Sequence, residues 1–532
     1  MSGMLVGVVG GLVRMFQGFV DAVPTLLVGL LVAAVMRYYL GPEGTRQLFG
    51  GQSLRRLPQS WLVGMLLPVC SVGVLPILFE MRRVGIKPGA MTAFALSAPL
   101  FNPLSLLYGL TLSRPAVIVM FALASLVVVT ILGSLLDFWL RRELAGNALS
   151  VVDADLDKTP LIGVGRLFAV INYFTRQVTG RSLVWSIAAL AGLFLLAAVL
   201  PFGSMQESVE RDDPWAPATM TVVAIPVYAT PMLTMSQLGM MFQHANSPGA
   251  AFVLLVLGTG LNLATIGWFS VLIGRRLVTA WFCTLLLTVV SLAYAINRPL
   301  IAPGVEPAGH THAFDVYVNP FTDWEAAMKT GWVAATSQYF DLRVTLSLAC
   351  FALPVLLGLV LRFKGVTETG LQRRYGVTFD ADSKTATSAA GAGLTRYDRV
   401  VSPRLVGGVI IVGLIAFSVV LCYAYYPDAA ECLEEIAGYR TQCLSGVTSK
   451  DYDAALYWLP VWEDWSRRTE VGAFLRHGQV RPYQRMQGYL LRKKLEDLEH
   501  ALERELPDHQ QILRIKQDLE ATSRRWANAF RE

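Results

Sequence analysis

Residues 61–80 read WLVGMLLPVCSVGVLPILFE, and residues 218–240 read ATMTVVAIPVYATPMLTMSQLGM. Both are apolar and long enough to enter a bilayer, yet each carries two prolines around a short break. Pro68 and Pro76 flank Cys70-Ser71-Val72-Gly73, and Pro226 and Pro231 flank Tyr228-Ala229-Thr230. Proline inside a helix removes a backbone hydrogen bond and clashes with the preceding turn. Each stretch therefore reads as two half-helices meeting at a bend, with Pro68, Gly73, Pro76, Pro226 and Pro231 as the breaking residues. Irregular backbone at membrane depth persists only where protein buries it or a watery cavity receives it.

The rest of the chain sets these stretches in a membrane. Of 532 residues, 54% are hydrophobic and 16% charged, against about 25% charged in soluble domains. Apolar stretches close to the ~20 residues of a spanning helix lie at 16–38, 61–80, 88–110, 115–137, 182–201, 218–240, 249–271, 277–296, 343–361 and 404–424. The start, MSGMLVGVVGGLVRMF, lacks the basic region and cleavage site of a signal peptide, so the first spanning helix is expected to direct insertion. The net charge of +6 is scattered between helices and in the tail, which leaves no footprint for nucleic acid. No GxxxxGK[ST] loop cradles a phosphate, and no hydrolase triad or catalytic carboxylate pair can be assembled. Neither an enzyme nor a cofactor is expected.

Residues 87–106, KPGAMTAFALSAPLFNPLSL, return 160 positions later as SPGAAFVLLVLGTGLNLATI. The same register sets Leu78 on Leu238, Met81 on Met241 and Asn102 on Asn262, and carries 115–137 to 275–297 and 1–17 to 161–177. Four elements in one order point to internal duplication.

Charge decides the expected orientation. If all ten stretches cross, the basic loop 363–403 falls outside and Cys432 and Cys443 fall in the reducing cytoplasm. If 61–81 and 218–241 enter and return on the same side, the basic connections 41–60, 82–87, 138–181, 272–276 and 363–403 are all cytoplasmic, as the positive-inside rule prefers. The expected fold is then an all-α polytopic membrane protein of two inverted repeats with re-entrant broken helices and about eight spanning helices, plus a small helical C-terminal region outside the membrane. Residues 1–137 form the first repeat, 138–160 a cytoplasmic linker, 161–297 the second repeat and 298–342 an extracytoplasmic loop. Residues 343–426 add two spanning helices joined by the cytoplasmic loop 363–403, and 427–532 form the extracytoplasmic helical region. Inversion brings Asn102 and Asn262 toward a common midplane site.

The segment CSVGVLPILFEMRRVGIKPGAMTAFALSAPLFNP, residues 70–103, resembles the ArsP/YraQ-type predicted permeases. These pair a Cys-containing Pro/Gly break, a short basic loop and a PGA helix ending in Asn or a similar polar residue. The resemblance extends over about residues 60–300. It implies an inner-membrane permease moving a small solute, a trivalent organoarsenical or another thiophilic compound, by alternating access. Family members often carry Cys-x-Cys at the break, whereas here Cys70 is followed by Ser71 and Val72.

The substrate-binding candidates are the polar groups near the breaks. Cys70 offers the soft thiolate that a thiophilic species seeks. Ser71, Thr230 and Thr259 offer hydroxyls that either bind solute or satisfy freed carbonyls. Asn102 and Asn262 place amides in apolar surroundings, where an unpaired amide is costly; either the broken backbone or the substrate supplies the partner. Glu80 and Asp137, at the edges of the spans, are expected to pair with Arg82/Arg83 and Arg141/Arg142, and no coupling carboxylate stands out. In GHTHAFDVY, residues 309–317, His310, His312 and Asp315 offer ligands for Zn or Cu; the alternative is a loop that packs on the membrane part. His244 reads as a solvated turn residue. Cys432 and Cys443 can close a disulfide on an oxidising side.

Beyond the last apolar stretch, 481–531 reads as two amphipathic helices split at Pro507, with Leu490, Leu491, Leu495, Leu498, Leu502 and Leu506 near a heptad seam. Such helices pack on themselves, pair with another copy of the chain or bind a partner protein. A second functional class follows: a non-transporting anchor or sensor working through this region and the histidine loop. Removing 430–532 is expected to spare flux in a transporter and to abolish the phenotype of a sensor.

Overall fold

Prolines open many of the helices. Pro88, Pro103, Pro115, Pro231 and Pro248 each stand at a first helical position, where a missing N–H costs nothing. The computed structural model describes residues 2–50, 55–112, 115–144, 163–207, 209–301, 311–328, 331, 342–367, 370, 377–379, 386–388, 403–504 and 507–531. Among these the chain is helical apart from one ribbon, β1 (Val377–Phe379) antiparallel to β2 (Ala386–Ser388).

Helix α1 (Ser2–Val35) continues through a π-helical turn, Met36–Leu40, into α2 (Gly41–Leu48). Then come α3 (Arg56–Leu66), α4 (Val74–Arg83), α5 (Pro88–Ser97), α6 (Pro103–Leu112) and α7 (Pro115–Leu144). Next are α8 (Gly163–Val178), α9 (Arg181–Val199), α10 (Ala216–Ala224), α11 (Pro231–Gln243), α12 (Pro248–Val253, prolonged by the π-helical turn Leu254–Thr259), α13 (Leu263–Ile273) and α14 (Arg275–Leu300). The first residues of α3, α5, α6 and α7 lie 160 positions before those of α10, α12, α13 and α14.

The recurrence extends to hydrogen bonds. Asp137 Oδ1 accepts the Gly89 N–H at 2.9 Å, and Asn297 Oδ1 accepts the Gly249 N–H at 2.9 Å. Each side chain ties the first turn of a PGA helix to a long helix, and the glycines let the two backbones touch. A Cβ on Gly89 would meet the Gly133 carbonyl, and one on Gly249 the Ala293 carbonyl. The copies differ in charge. Asp137, expected to pair with Arg141 or Arg142, is buried and takes Arg56 of α3 as its partner, at 2.8 and 3.1 Å. Glu80 does pair with Arg83, at 2.6 Å, but it is buried, and it also engages Arg37 at 3.2 Å and the Tyr173 hydroxyl at 2.7 Å.

Five helical stretches among the described residues are long and apolar enough to cross a membrane: Gly3–Leu48, Pro115–Arg141, Val164–Val199, Arg275–Leu300 and Thr345–Phe363. Pro248–Thr259 with Leu263–Ile273 adds a sixth if its 61° bend lies within one span. The stretches at 61–80 and 218–240 are interrupted at 67–73 and 225–230. Those at 88–110 and 249–271, expected to be continuous, are also interrupted, each just before its asparagine.

The chain divides into two compact units, residues 1–103 with 119–415, and 104–118 with 416–532. The first contains α15 (Leu342–Phe363), packed on α1 and α8. Helix α16 (Pro403–Tyr425) leads into the second unit. There α17 (Ala429–Ser449), α18 (Tyr452–His477), α19 (Pro482–Leu502) and α20 (His509–Arg531) form a bundle, α17 packing on α18 and α20, and α19 on α18 and α20. Leu491, Leu495 and Leu498 of the heptad seam lie in its core with Trp462, Ile512, Leu519 and Trp526. Leu490 is on the exposed side, and Leu506 lies outside the described residues. Helix α6 belongs to the same unit. The Tyr426 hydroxyl donates to the Leu104 carbonyl at 2.9 Å, and Arg467 bonds the Tyr108 hydroxyl. Truncation at 430 therefore strips α6 of Arg467, so it is not the clean test of function that the sequence suggests.

The expected Cys432–Cys443 disulfide is absent. Both thiols are free, buried and on α17, on one face of the helix. Eleven residues at 1.5 Å rise put them ~16 Å apart, whereas a disulfide needs Cα atoms within ~7 Å. Burial pushes the Cys432 thiol up to about 11 and the Cys443 thiol up to about 12, so the reactive thiolate is scarce at neutral pH. The folded protein is expected to leave both unlabelled by maleimide, and unfolding without reductant to expose both, as read by peptide mass spectrometry. Labelling of this pair only after reduction would contradict the fold.

Candidate functional site

The two proline breaks are shaped by their own turns. At the first, the Cys70 carbonyl accepts the Val74 N–H at 3.0 Å and its Sγ accepts the Gly73 N–H at 3.4 Å, which starts α4. Pro68 lies in the extended segment, whereas Pro76 sits in the first turn of α4 and breaks nothing. At the second, Pro226 ends the turn after α10, and Pro231 opens α11. Thr230 caps α11, its Oγ1 accepting the Leu233 N–H at 3.3 Å, so its lone pairs serve the helix.

Long helices carry these breaks on glycines. Gly29 of α1 lies on the Gly73 carbonyl, Gly73 on Thr25, and Gly192 of α9 on the Pro226 carbonyl. The breaks also meet each other. The Tyr228 hydroxyl lies beside the Cys70 thiol and in the field of Asp21 from α1. Its ring rests against Gly18, with Tyr228 Cδ1 3.7 Å from where a Cβ would stand.

The interruptions of the PGA helices meet too, because Gly260 lies against the Leu96 carbonyl and the Leu100 side chain. Asn262 is the cap of α13. Its Oδ1 accepts the Thr265 N–H at 2.8 Å and the Thr265 hydroxyl at 3.1 Å, which fixes the amide and leaves Nδ2 as a donor. Asn102 is buried immediately before α6. Thr259 shares a 2.7 Å hydrogen bond with Thr234.

Three buried polar atoms at these breaks stand out. Ser71 Oγ, Asn262 Nδ2 and the Tyr228 hydroxyl have no hydrogen-bond partner among the described residues, the Cys70 thiol lying beside the hydroxyl. Each such group costs about 1–3 kcal/mol when left unsatisfied. Thiol, phenol, hydroxyl and amide at buried breaks can hold a small polar or thiophilic solute. Asp21 is the residue the sequence reading passed over, although it is the one carboxylate inside 16–38. Tyr228 was legible only as part of the break.

The histidine loop does pack on the first unit. Thr311, Ala313, Phe314, Tyr317 and Val318 are buried. Gln237 of α11 donates to the Ala313 carbonyl and accepts from the Tyr317 hydroxyl, both at 2.7 Å. Arg14 donates to the Val318 carbonyl at 3.0 Å and the Asp315 carbonyl at 2.5 Å. His312 Nδ1 and Asp315 Oδ2 are 2.8 Å apart, with Gln206 on both. His310 lies outside the described residues. His244, expected in solvent, is buried at the end of α11.

Residues 12–298 match the sequence model of the ArsP_1 family, described as predicted permease. A curated relative, the UPF0718 protein YcgR of Bacillus subtilis (strain 168), is 26% identical over 87 residues, 16% of this chain and 30% of the relative. No solved structure matches the chain.

Proposed function

The chain belongs to the family of predicted permeases matched over residues 12–298, and on that premise we propose that it moves a small, thiophilic solute across a bacterial inner membrane at a site between its two proline breaks. The observation that carries this reading is the meeting of Cys70 from one break with Tyr228 from the other. Paired, interrupted segments in corresponding positions of two halves are where inverted-repeat transporters bind cargo.

In this reading 1–137 and 161–297 are inverted copies joined by the cytoplasmic linker 138–160, and the segments 61–81 and 218–241 are re-entrant. Eight helices span, and 427–532 lies on the extracytoplasmic side. Rocking of one half against the other exposes the site to each face in turn. Cys70, Ser71 and the Asn262 amide contact the solute. Thr230 and Thr259 hold the backbone that frames it, and Asn102 stands at the matching break of the first copy. His312 and Asp315 pin the loop to the membrane part, and a partner protein or second copy meets the outer face of the helical bundle.

The test is accumulation of trivalent methylarsenite in cells lacking their own arsenic exporters. Wild type is expected to lower accumulation relative to empty vector, and Cys70→Ala to restore it. Equal accumulation in all three, with the protein present in the membrane, removes the organoarsenical as cargo. An unimpaired Cys70→Ala moves the site away from the first break.

A further inference from the structure

Asp21 sits in the middle of a sticky face of α1. Gly18, three residues before it, lies against the Tyr228 ring, and Thr25, four residues after, lies against Gly73. Positions at these spacings share one helix face, so the Asp21 carboxylate is directed at the place where the two breaks meet. The Tyr228 hydroxyl lies beside the Cys70 thiol and in the field of this carboxylate. Pro24, on the next turn, has no N–H to donate to the Val20 carbonyl.

No hydrogen bond or ion pair engages Asp21 among the described residues. The charged groups on its own helix are occupied elsewhere, Arg14 by the 311–318 loop and Arg37 by Glu80. The elements packed on α1 bring Glu80, Arg82 and Arg83 on α4, Arg166, Tyr173 and Arg176 on α8, Arg181 on α9, and Cys350 and Arg362 on α15. Glu80 is held by Arg83, Arg37 and Tyr173; Arg166 lies over Tyr39, and Arg176 bonds the Val366 carbonyl. At the level of Asp21, α9 presents Leu190 and Leu193, and α15 presents Phe351 against Phe19. Tyr228 is the titratable group whose hydroxyl reaches the Asp21 field.

We propose that Asp21 is the proton-binding site of the transport cycle, communicating with the Cys70 region through the Tyr228 hydroxyl. The proposal rests on the transporter reading above. An ionised carboxylate inside a membrane protein without a counter-charge is costly, and it escapes that cost by taking a proton. A protein that alternates between faces must neutralise Asp21 before the site closes. The proton is bound from one side and released to the other, which couples solute movement to the proton gradient.

Two measurements on the full-length protein test this separately from the cargo. The first is pH-difference infrared spectroscopy of the reconstituted protein, comparing wild type, Asp21→Asn, Asp21→Glu and Tyr228→Phe. Wild type is expected to show a titrating carboxylic acid C=O band that Asp21→Asn loses, Asp21→Glu keeps at a new position and Tyr228→Phe shifts. Identical spectra for wild type and Asp21→Asn would overturn the proposal. If Asp21→Asn does not fold, the shifted band in Asp21→Glu or Tyr228→Phe decides. The second is methylarsenite uptake into everted vesicles with and without an imposed pH gradient. Support is gradient-driven accumulation in wild type that Asp21→Asn loses while keeping equilibrium exchange; accumulation that persists in Asp21→Asn overturns the proposal. Vesicles in which wild type moves no methylarsenite would count against the cargo, and the infrared titration would still decide the proton site.

Discussion

Alanine at Gly192, and equally at Gly29, is expected to abolish transport and to lower stability by about 3 kcal/mol, the upper part of the usual range for overpacking. The added methyl at Gly192 would overlap the Pro226 carbonyl, and that at Gly29 the Gly73 carbonyl. Backbone atoms at a break cannot rotate away as a flexible side chain does, so the break itself must shift. Because Tyr228 and Cys70 stand on the displaced segments, the same shift separates the two groups that meet at the site. Gly438, on the exposed side of α17 with nothing near its Cβ position, provides the opposite control. Alanine there is expected to raise stability by about 0.5–1 kcal/mol. Thermal unfolding in detergent and efflux measured together check both. Wild-type behaviour of Gly29→Ala and Gly192→Ala would mean that the breaks do not rest on these helices.

The second large effect separates the two copies. Asp137→Ala is expected to cost about 3–5 kcal/mol, because it removes the carboxylate that the buried Arg56 guanidinium engages at 2.8 and 3.1 Å. The pair is well sheltered, with side-chain exposures of 11% for Arg56 and 6% for Asp137, so solvent screening is slight. The corresponding Asn297→Ala removes only the neutral hydrogen bonds from Gly249 N–H and the Ser247 hydroxyl, and should cost about 1–3 kcal/mol. The double variant Arg56→Met/Asp137→Ala is expected to recover much of the loss, since removing both partners leaves no stranded charge. Equal costs at 137 and 297 would show that the ion pair contributes nothing beyond the cap.

Much of the membrane part was legible because its signals are local. Pro68 and Pro226 each remove a backbone hydrogen bond from a helix interior, and breaks appear beside both. The repeat was legible to the residue, since α3, α5, α6 and α7 begin 160 positions before α10, α12, α13 and α14. Local reading failed where one pattern serves two structures. Pro76 and Pro231 stand in the first turns of helices rather than ending them, because proline is at home in a first turn. CLEEIAGYRTQC places its cysteines three helical turns apart on one buried face, a spacing that also fits a disulfide-closed loop. Asn102 and Asn262 read as polar residues within a span, whereas each stands at an interruption, with the Asn262 side-chain Oδ1 capping α13.

What the sequence determined by itself is the material and its periodic order: an apolar chain, duplicated, with interrupted helices and a polar helical tail. Composition, proline chemistry and internal likeness act over a few residues or repeat at a constant offset, so they survive in one dimension. Only the tertiary structure decided which charges are paired and which polar groups are brought together. Arg56 finds Asp137, Glu80 gathers Arg37 and Tyr173, and Asp21, Cys70 and Tyr228 converge from three separate segments. These partners are tens to hundreds of positions apart, and the packing of glycine faces on broken backbone selects them, which no local pattern encodes.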